Sequence, residues 1–358
     1  MKSERTFGVE VEFTSCEESM SWVAGQIKRN LPEQYQEVYQ VMSEGYNHDT
    51  RSYWKVTTDS SCGYELVSPI LQGKAGLNEA REIINALSKV QGVNVNRKCG
   101  VHVHVALQGF DGYQFGNLLK NYSKYQDEIS KALPKSRRGM NNSYCYGLNK
   151  YAAENCISNS DYTEAYNKWV DDNRGMESRR EQCSACEGGA QCDQCYENNR
   201  NTQSRQNRDF RISSQFIEAG RKTLFNKVSE IQSLWKSGAY SDSDAFRKYH
   251  RWFGTRYMTL NIECYVRYGT VEFRQHSGSL CSEKIGNWIC FCTNLVDRSA
   301  KVKFVQFVKD VVPMKNFANI FGEQQSRSIL KYFESRALGF GFPEVNGAYT
   351  HATSMRRV

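Results

Sequence analysis

Phe7-Gly8-Val9-Glu10-Val11-Glu12-Phe13 reads as a β-strand with two chemically different faces. Side chains alternate along a strand, so Phe7, Val9, Val11 and Phe13 form an apolar side, and Gly8, Glu10 and Glu12 form the other. The strand rise sets the two carboxylates about 7 Å apart. Gly100-Val101-His102-Val103-His104-Val105 splits the same way, with His102 and His104 opposite three valines. In Thr270-Val271-Glu272-Phe273-Arg274-Gln275-His276 the split leaves Glu272, Arg274 and His276 opposite Val271 and Phe273.

For any one of these strands, a water-facing side on a half-buried antiparallel sheet is the simpler account. Taken together, the polar faces carry Glu, Glu, His, His, Glu and Arg, without the Lys and Thr that usually fill a solvated sheet surface. Carboxylates with an imidazole suit magnesium or manganese, which leave coordination positions for water and phosphate oxygens. An arginine beside them can neutralise a transferring phosphoryl group. The faces therefore read as a nucleotide and metal platform.

Further strands are expected at Tyr53 to Thr58, Tyr64 to Val67 and Val101 to Leu107, and helices at Leu77 to Val90 and Tyr113 to Leu133. Phe216 to Trp235 reads as a helix leading into two strand runs, RYMTLNIECYV and GTVEFRQH, joined by a turn at Arg267-Tyr268-Gly269. Cys281 to Val296, Val302 to Val312 and Gln325 to Leu338 have helical periodicity. Strands and helices are mixed without strict alternation, an α+β pattern. Between them the composition turns polar. The division expected is 1–150 and 216–358 as two parts of one catalytic domain, with 151–215 as an insertion.

The chain has 358 residues, 39% hydrophobic and 13% aromatic, enough apolar surface for a full core and against global disorder. Lys and Arg exceed Asp and Glu by 8. The excess is spread along the chain, which permits an anionic partner such as ATP, an acidic peptide or nucleic acid without demanding one. No apolar stretch approaches the 18 or so residues that cross a bilayer, and MKSERTFGVEVEF lacks a signal-peptide core. The expectation is a cytoplasmic protein with no membrane partner. An odd count of 13 cysteines suits thiols and a metal better than a disulfide framework.

Within the insertion, Cys183-x-x-Cys186 and Cys192-x-x-Cys195 flank Gly188 and Gly189 and offer four thiols to a tetrahedral structural zinc. The five-residue spacer is tighter than in zinc ribbons, and an unligated or redox-active loop is the competing reading. Arg174, Arg179, Arg180, Arg200, Arg205 and Arg208 flank the cluster. They leave nucleic acid as one partner and a solvated polar loop as the alternative.

These motifs, in this order, resemble the amidoligases, ATP-dependent carboxylate-amine ligases related to glutamine synthetase and glutamate-cysteine ligase. FGVEVEF resembles the family's Glu-x-Glu strand, TTDSSCGYELVSP its Asp followed by Glu-Leu-Val-Ser-Pro, and CGVHVHV its His-x-His strand. RYMTLN resembles the Arg-Tyr…Leu-Asn element, and TVEFRQHSGS the Glu-Phe-Arg strand with its Ser-Gly turn. The resemblance implies a glutamine-synthetase-like curved antiparallel sheet, metals on its concave face and helices packed on its convex face.

It also implies that Glu10 and Glu12 ligate two different Mg²⁺ or Mn²⁺ ions. Glu65 would join one site, with Asp59 its neighbour, and His102 and Glu272 would complete the other. Arg274 would contact the phosphate of ATP, and His104 would either orient substrate or support a ligand. Arg256 and Asn261 match an element where phosphate or substrate contact is expected, with Glu65 and Arg256 also on the nucleotide side. Arg138, before NNSYCYG, resembles a family arginine ahead of a Tyr-Cys pair. Family members occur in bacteria and bacteriophages and join a carboxylate to an amine through an acyl phosphate. The substrates expected are an amino acid, peptide or protein. The residues alone also admit a metal-dependent phosphoryl transferase or hydrolase, or a zinc-stapled nucleic-acid-binding protein.

Overall fold

The computed structural model describes residues 3–14, 18–139, 142–173, 207, 209–308 and 323–341, with side chains of the last helix from 329 onward. In chain order the elements are β1 (Thr6–Thr14), α1 (Met20–Asn30), α2 (Glu33–Gln36), β2 (Val41–Ser43), β3 (Trp54–Asp59), β4 (Gly63–Val67) and β5 (Leu71–Gln72). Next come α3 (Gly73–Leu87), β6 (Gly100–Ala106), α4 (Gly112–Lys131), a 3₁₀ turn at Lys135–Arg137, α5 (Leu148–Asn155), α6 (Asn159–Asp172) and α7 (Ser214–Lys236). The chain continues through α8 (Asp242–Phe253), β7 (Leu260–Asn261), α9 (Glu263–Tyr268), β8 (Thr270–Ser277), α10 (Ser282–Lys301) and α11 (Glu323–Gly339). No helix of the described residues is long and apolar enough to cross a membrane.

The chain divides into one unit of Met1–Leu148 with Val228–Val358 and a second of Asn149–Lys227. In the first, the strands form one eight-stranded sheet in the order β2-β3-β4-β1-β6-β8-β7, with β5 pairing to β1. The sheet is mixed: β2 runs parallel to β3, and every other pairing is antiparallel. The expected all-antiparallel sheet is corrected at this edge. There, Val41–Ser43 reaches β3 through a loop instead of a tight hairpin.

Phe7, Val9, Val11, Phe13, Val101, Val103, Val105, Val271 and Phe273 are all at most 2% exposed. A buried Val or Phe contributes about 1.5–3 kcal/mol. A one-residue slip of β1 or β6 would turn its set to the opposite face, so the core fixes the register that aligns the carboxylates. The helix α10 packs against β6, α3 and α4 and buries Ile285, Trp288, Ile289, Phe291 and Leu295. Asp111 and Gln114 form a capping box that starts α4.

The pairing of β6 with β8 contains a bulge. Val101 faces His276 and Val103 faces Phe273, so Arg274 and Gln275 both stand against His102. The extra residue breaks the alternation and carries His276 to the helix side, correcting the placement of Glu272, Arg274 and His276 on one face. His276 Nδ1 donates to the Ser277 carbonyl at 2.7 Å, and Nε2 accepts from the Tyr332 hydroxyl at 2.8 Å. Burial pushes its pKa down to about 3, leaving the ring neutral.

Two other expectations are corrected. Ile262 to Val266, expected to extend a strand, leaves only Leu260–Asn261 extended before α9 begins. The Asn261 side chain accepts the Glu263 amide at 2.9 Å, and Gly269, at φ +66°, closes the helix. Residues 302–308, expected to be helical, contain no helix.

In the second unit, α6, the turn at Phe210 and the start of α7 enclose a small aromatic core. Phe210 is fully buried, with Tyr162, Tyr166, Trp169 and Phe216 around it at centroid distances of 5.1 to 5.9 Å. These rings give the polar insertion enough apolar burial to be compact. Cys183, Cys186, Cys192 and Cys195, like the arginines flanking them, lie outside the described residues.

Candidate metal and phosphate site

The register of five strands assembles the polar face. Glu12 of β1 stands opposite Glu65 of β4, and Glu10 of β1 opposite His102 of β6. His104 of β6 stands opposite Glu272 of β8, itself opposite Asn261 of β7. Glu12, His102, Glu272 and Asn261 are between 3% and 6% exposed, so the row is sunk into the protein.

His102 lies at the centre. Its Nδ1 is 3.1 Å from Glu10 Oε2 and 3.5 Å from Glu272 Oε1, while Nε2 is 3.4 Å from Glu12 Oε1. Two groups of three donors result, Glu10/His102/Glu272 and Glu12/Glu65/His102, each with ligand atoms within 4.8 Å of one another. They share the imidazole, one nitrogen toward each. His104 Nε2 is 3.2 Å from Glu10 Oε1 and 3.9 Å from Glu272 Oε1.

The electrostatics divide these acids. Burial pushes the Glu10 carboxyl up, but His104 and His102 outweigh it and hold it well below the usual range. Glu272 is likewise lowered, against its burial, by His104, Arg274 and His102. Glu65 goes the other way, raised well above the usual range by burial and by Glu10 and Glu12. His104 is raised, against its burial, chiefly by Glu10. The side of the face holding Glu65 is short of positive charge.

A stability prediction follows for the metal-free protein. A carboxyl with a raised folded pKa binds more protons folded than unfolded, so its charge costs stability as pH rises from about 4.3 through the folded value. Glu65→Gln is expected to raise the melting temperature at pH 7.5 by roughly 2–4 °C. That gain should disappear near pH 4, where the native carboxyl is already protonated. Calorimetry in chelator at both pH values checks it, and the same substitution should weaken Mn²⁺ binding.

Other groups hold the ligands in place. Asn261 Nδ2 donates to Glu272 Oε2 at 2.7 Å, and Arg274 Nη1 pairs with Glu272 Oε1. The Gly100 amide donates to Glu12 Oε2 at 2.5 Å. A β-carbon on Gly100 would lie 2.9 Å from His102 Nε2 and 3.0 Å from Arg137 Nη1. Gly100→Ala is expected to keep the fold and weaken one of two Mn²⁺ sites about tenfold, as measured by Mn²⁺ electron paramagnetic resonance.

The remaining expected residues fall outside this cluster. Asp59 Oδ1 accepts the amides of Ser61 and Cys62 at 2.7 and 3.1 Å, capping its own turn, and Asp59 belongs to neither donor group. Arg256 is exposed, with its guanidinium 5.4 Å from the centre of the Tyr257 ring. Arg138 Nε donates to the Leu133 carbonyl at 2.9 Å. Its neighbour Arg137, which sequence reasoning passes over, reaches the cluster instead. It is 5% exposed and donates to the carbonyls of Lys98 and Cys99 at 2.7 and 2.6 Å. Cys264 is missed in the same way, and its Sγ is 3.4 Å from Glu272 Oε2. No motif marks either residue; the 3₁₀ turn and the short helix α9 bring them in.

A family model described as "Putative amidoligase enzyme" matches residues 3–211, which contain β1, β4 and β6 with Glu10, Glu12, Glu65, His102 and His104. Glu272 and Arg274 lie beyond the matched stretch and join the site through the β6–β8 pairing. No curated protein and no solved structure matches the chain significantly. With more than half of its length matched, the chain belongs to the amidoligase family.

Proposed function

We propose that this amidoligase is an ATP-dependent carboxylate-amine ligase working on a glutamine-synthetase-like sheet. In the first step a substrate carboxylate oxygen attacks the γ-phosphorus of ATP, the bond to the β-phosphate oxygen breaks, and an acyl phosphate and ADP form. In the second a neutral amine attacks the acyl carbon, phosphate leaves, and the amine gives up a proton as the amide forms. The observation that carries this reading is the pair of donor groups sharing His102, with the Arg274 guanidinium at their edge.

The donor set fits Mg²⁺ or Mn²⁺: each group offers two carboxylates and one imidazole nitrogen, and the raised Glu65 marks a place where a cation relieves repulsion. Bound there, two cations would neutralise phosphate and carboxylate charge so that the two anions can meet. Glu10 and Glu272 would hold one ion and Glu12 and Glu65 the other, with His102 fixing both sets. Arg274 Nε is buried and has no protein partner, which leaves it for an oxygen of the transferring phosphoryl group. Asn261 keeps Glu272 aimed at the site. The acceptor we favour is an amino acid, peptide or protein. A structural zinc on Cys183, Cys186, Cys192 and Cys195 is part of the same proposal.

The test is ADP release by the purified protein with ATP and Mg²⁺ against pools of carboxylates and amines, beside Glu10→Gln and Glu272→Gln. Release that needs both pools and vanishes in both variants supports the ligase. Release without amine, with no hydroxamate formed when hydroxylamine is added, means phosphoryl transfer or hydrolysis instead.

A further inference from the structure

Arg137, in the 3₁₀ turn that follows α4, is 5% exposed, yet no carboxylate pairs with it among the described residues. Its Nη2 donates to the carbonyls of Lys98 and Cys99 at 2.7 and 2.6 Å. Its Nε is buried without a partner, and Nη1 makes no hydrogen bond among the described residues. A buried cation with no counter-charge is costly unless an anion joins it.

The free nitrogen opens onto the polar face of the sheet. Gly100 stands two residues before His102 in β6, so the two share that face. Arg137 Nη1 and His102 Nε2 lie 3.0 and 2.9 Å from one point, the place a β-carbon on Gly100 would occupy. A side chain there would close the approach to Nη1, and glycine leaves it open. Arg274 lies on the other flank of the same ring: its Nη1 pairs with Glu272 Oε1, which is 3.5 Å from His102 Nδ1. One imidazole thus has a buried guanidinium on each side, and each guanidinium has a buried Nε without a partner.

We propose that Arg137 binds the substrate carboxylate: Nη1 donates to a carboxylate oxygen on the Nε2 flank of His102, while Arg274 takes the transferring phosphoryl group on the Nδ1 flank. The reaction brings two anions together, and the face supplies one guanidinium for each. The division of labour between the two arginines rests on the ligase reading above. That Arg137 holds a carboxylate rests on its burial, its unpaired charge and the opening over Gly100.

The probe is acetate, the smallest carboxylate with a carbon-bound proton signal, followed by saturation-transfer NMR on the full chain in Mg²⁺, with acetamide as its neutral counterpart. Acetate is expected to bind saturably and acetamide not at all. In Arg137→Met and in Arg137→Lys the acetate midpoint should rise about tenfold or more. Arg137→Lys keeps a charge and donors for the two carbonyls, so its Mn²⁺ affinity should match the unaltered chain. Absence of acetate binding, or an equal midpoint in both variants, overturns the proposal. Mn²⁺ affinity that falls with acetate affinity in Arg137→Lys makes the residue a support for the Cys99–Gly100 peptide, which also overturns it. A loss of inorganic phosphate binding with acetate unchanged reassigns Arg137 to phosphate. No arm uses ADP release: a chain that fails the ligase test but binds acetate through Arg137 keeps the carboxylate site and loses only the reaction.

Discussion

His102→Ala is expected to abolish both Mn²⁺ sites together, lowering each affinity about 100-fold or more, and with them all amine-dependent ADP release. The reason is the sharing of one ring: Nδ1 faces Glu10 and Glu272, and Nε2 faces Glu12. A carboxylate change is more local. Glu12→Gln should weaken one site and Glu10→Gln the other, because each belongs to a single group. Isothermal titration with Mn²⁺ distinguishes the cases by stoichiometry. If His102→Ala keeps one site at full affinity while its far-ultraviolet spectrum is native, the imidazole serves one ion only. Since the ring is 4% exposed, His102→Asn is the companion variant that leaves a smaller cavity.

The second large effect is expected at Arg274. Arg274→Gln should lower the turnover number for ADP release about 10³-fold, the scale of an arginine contacting a phosphoryl group in its transition state. Mn²⁺ binding should be unchanged or tighter, since Glu272 loses the guanidinium that competes for its Oε1. Arg274→Lys restores the charge but not the planar fork, and should recover only part of the loss. Loss of Mn²⁺ binding in parallel with turnover would instead make Arg274 a support for Glu272.

Much of this site is legible in three short stretches of sequence because strand alternation is strict when one face is packed. Phe7 to Phe13 and Val101 to Val105 pair as their apolar faces require, and Glu10, Glu12 and His102 follow. Alternation describes β8 as far as Arg274 and fails at His276, since a bulge arises from the pairing of two strands and leaves no mark in one of them. At Ile262 to Val266 the β-branched and aromatic residues suggest a strand. The side chain of Asn261 and the left-handed Gly269 are stronger local signals for a short helix. The helix Asp242–Phe253 is announced by Ser241 and Asp244, a capping box that a search for apolar stripes passes over. Arg137 and Cys264 reach the cluster through tertiary placement, which no spacing rule encodes.

The order of the site strands along the chain has a consequence for biosynthesis. β1, β4 and β6 are complete by Ala106, but β8, which covers β6 on its open side, begins only at Thr270, after the whole of Asn149–Lys227. At a ribosomal rate of about 5–20 residues per second, the edge of β6 waits roughly 10–30 s for its neighbour. During that interval an unpaired strand with three valines is available for wrong partners, and Glu10 lacks the Arg274 that later shares its neighbourhood. Yield of folded protein should therefore depend more on translation speed and chaperones than the stability of the finished sheet would suggest.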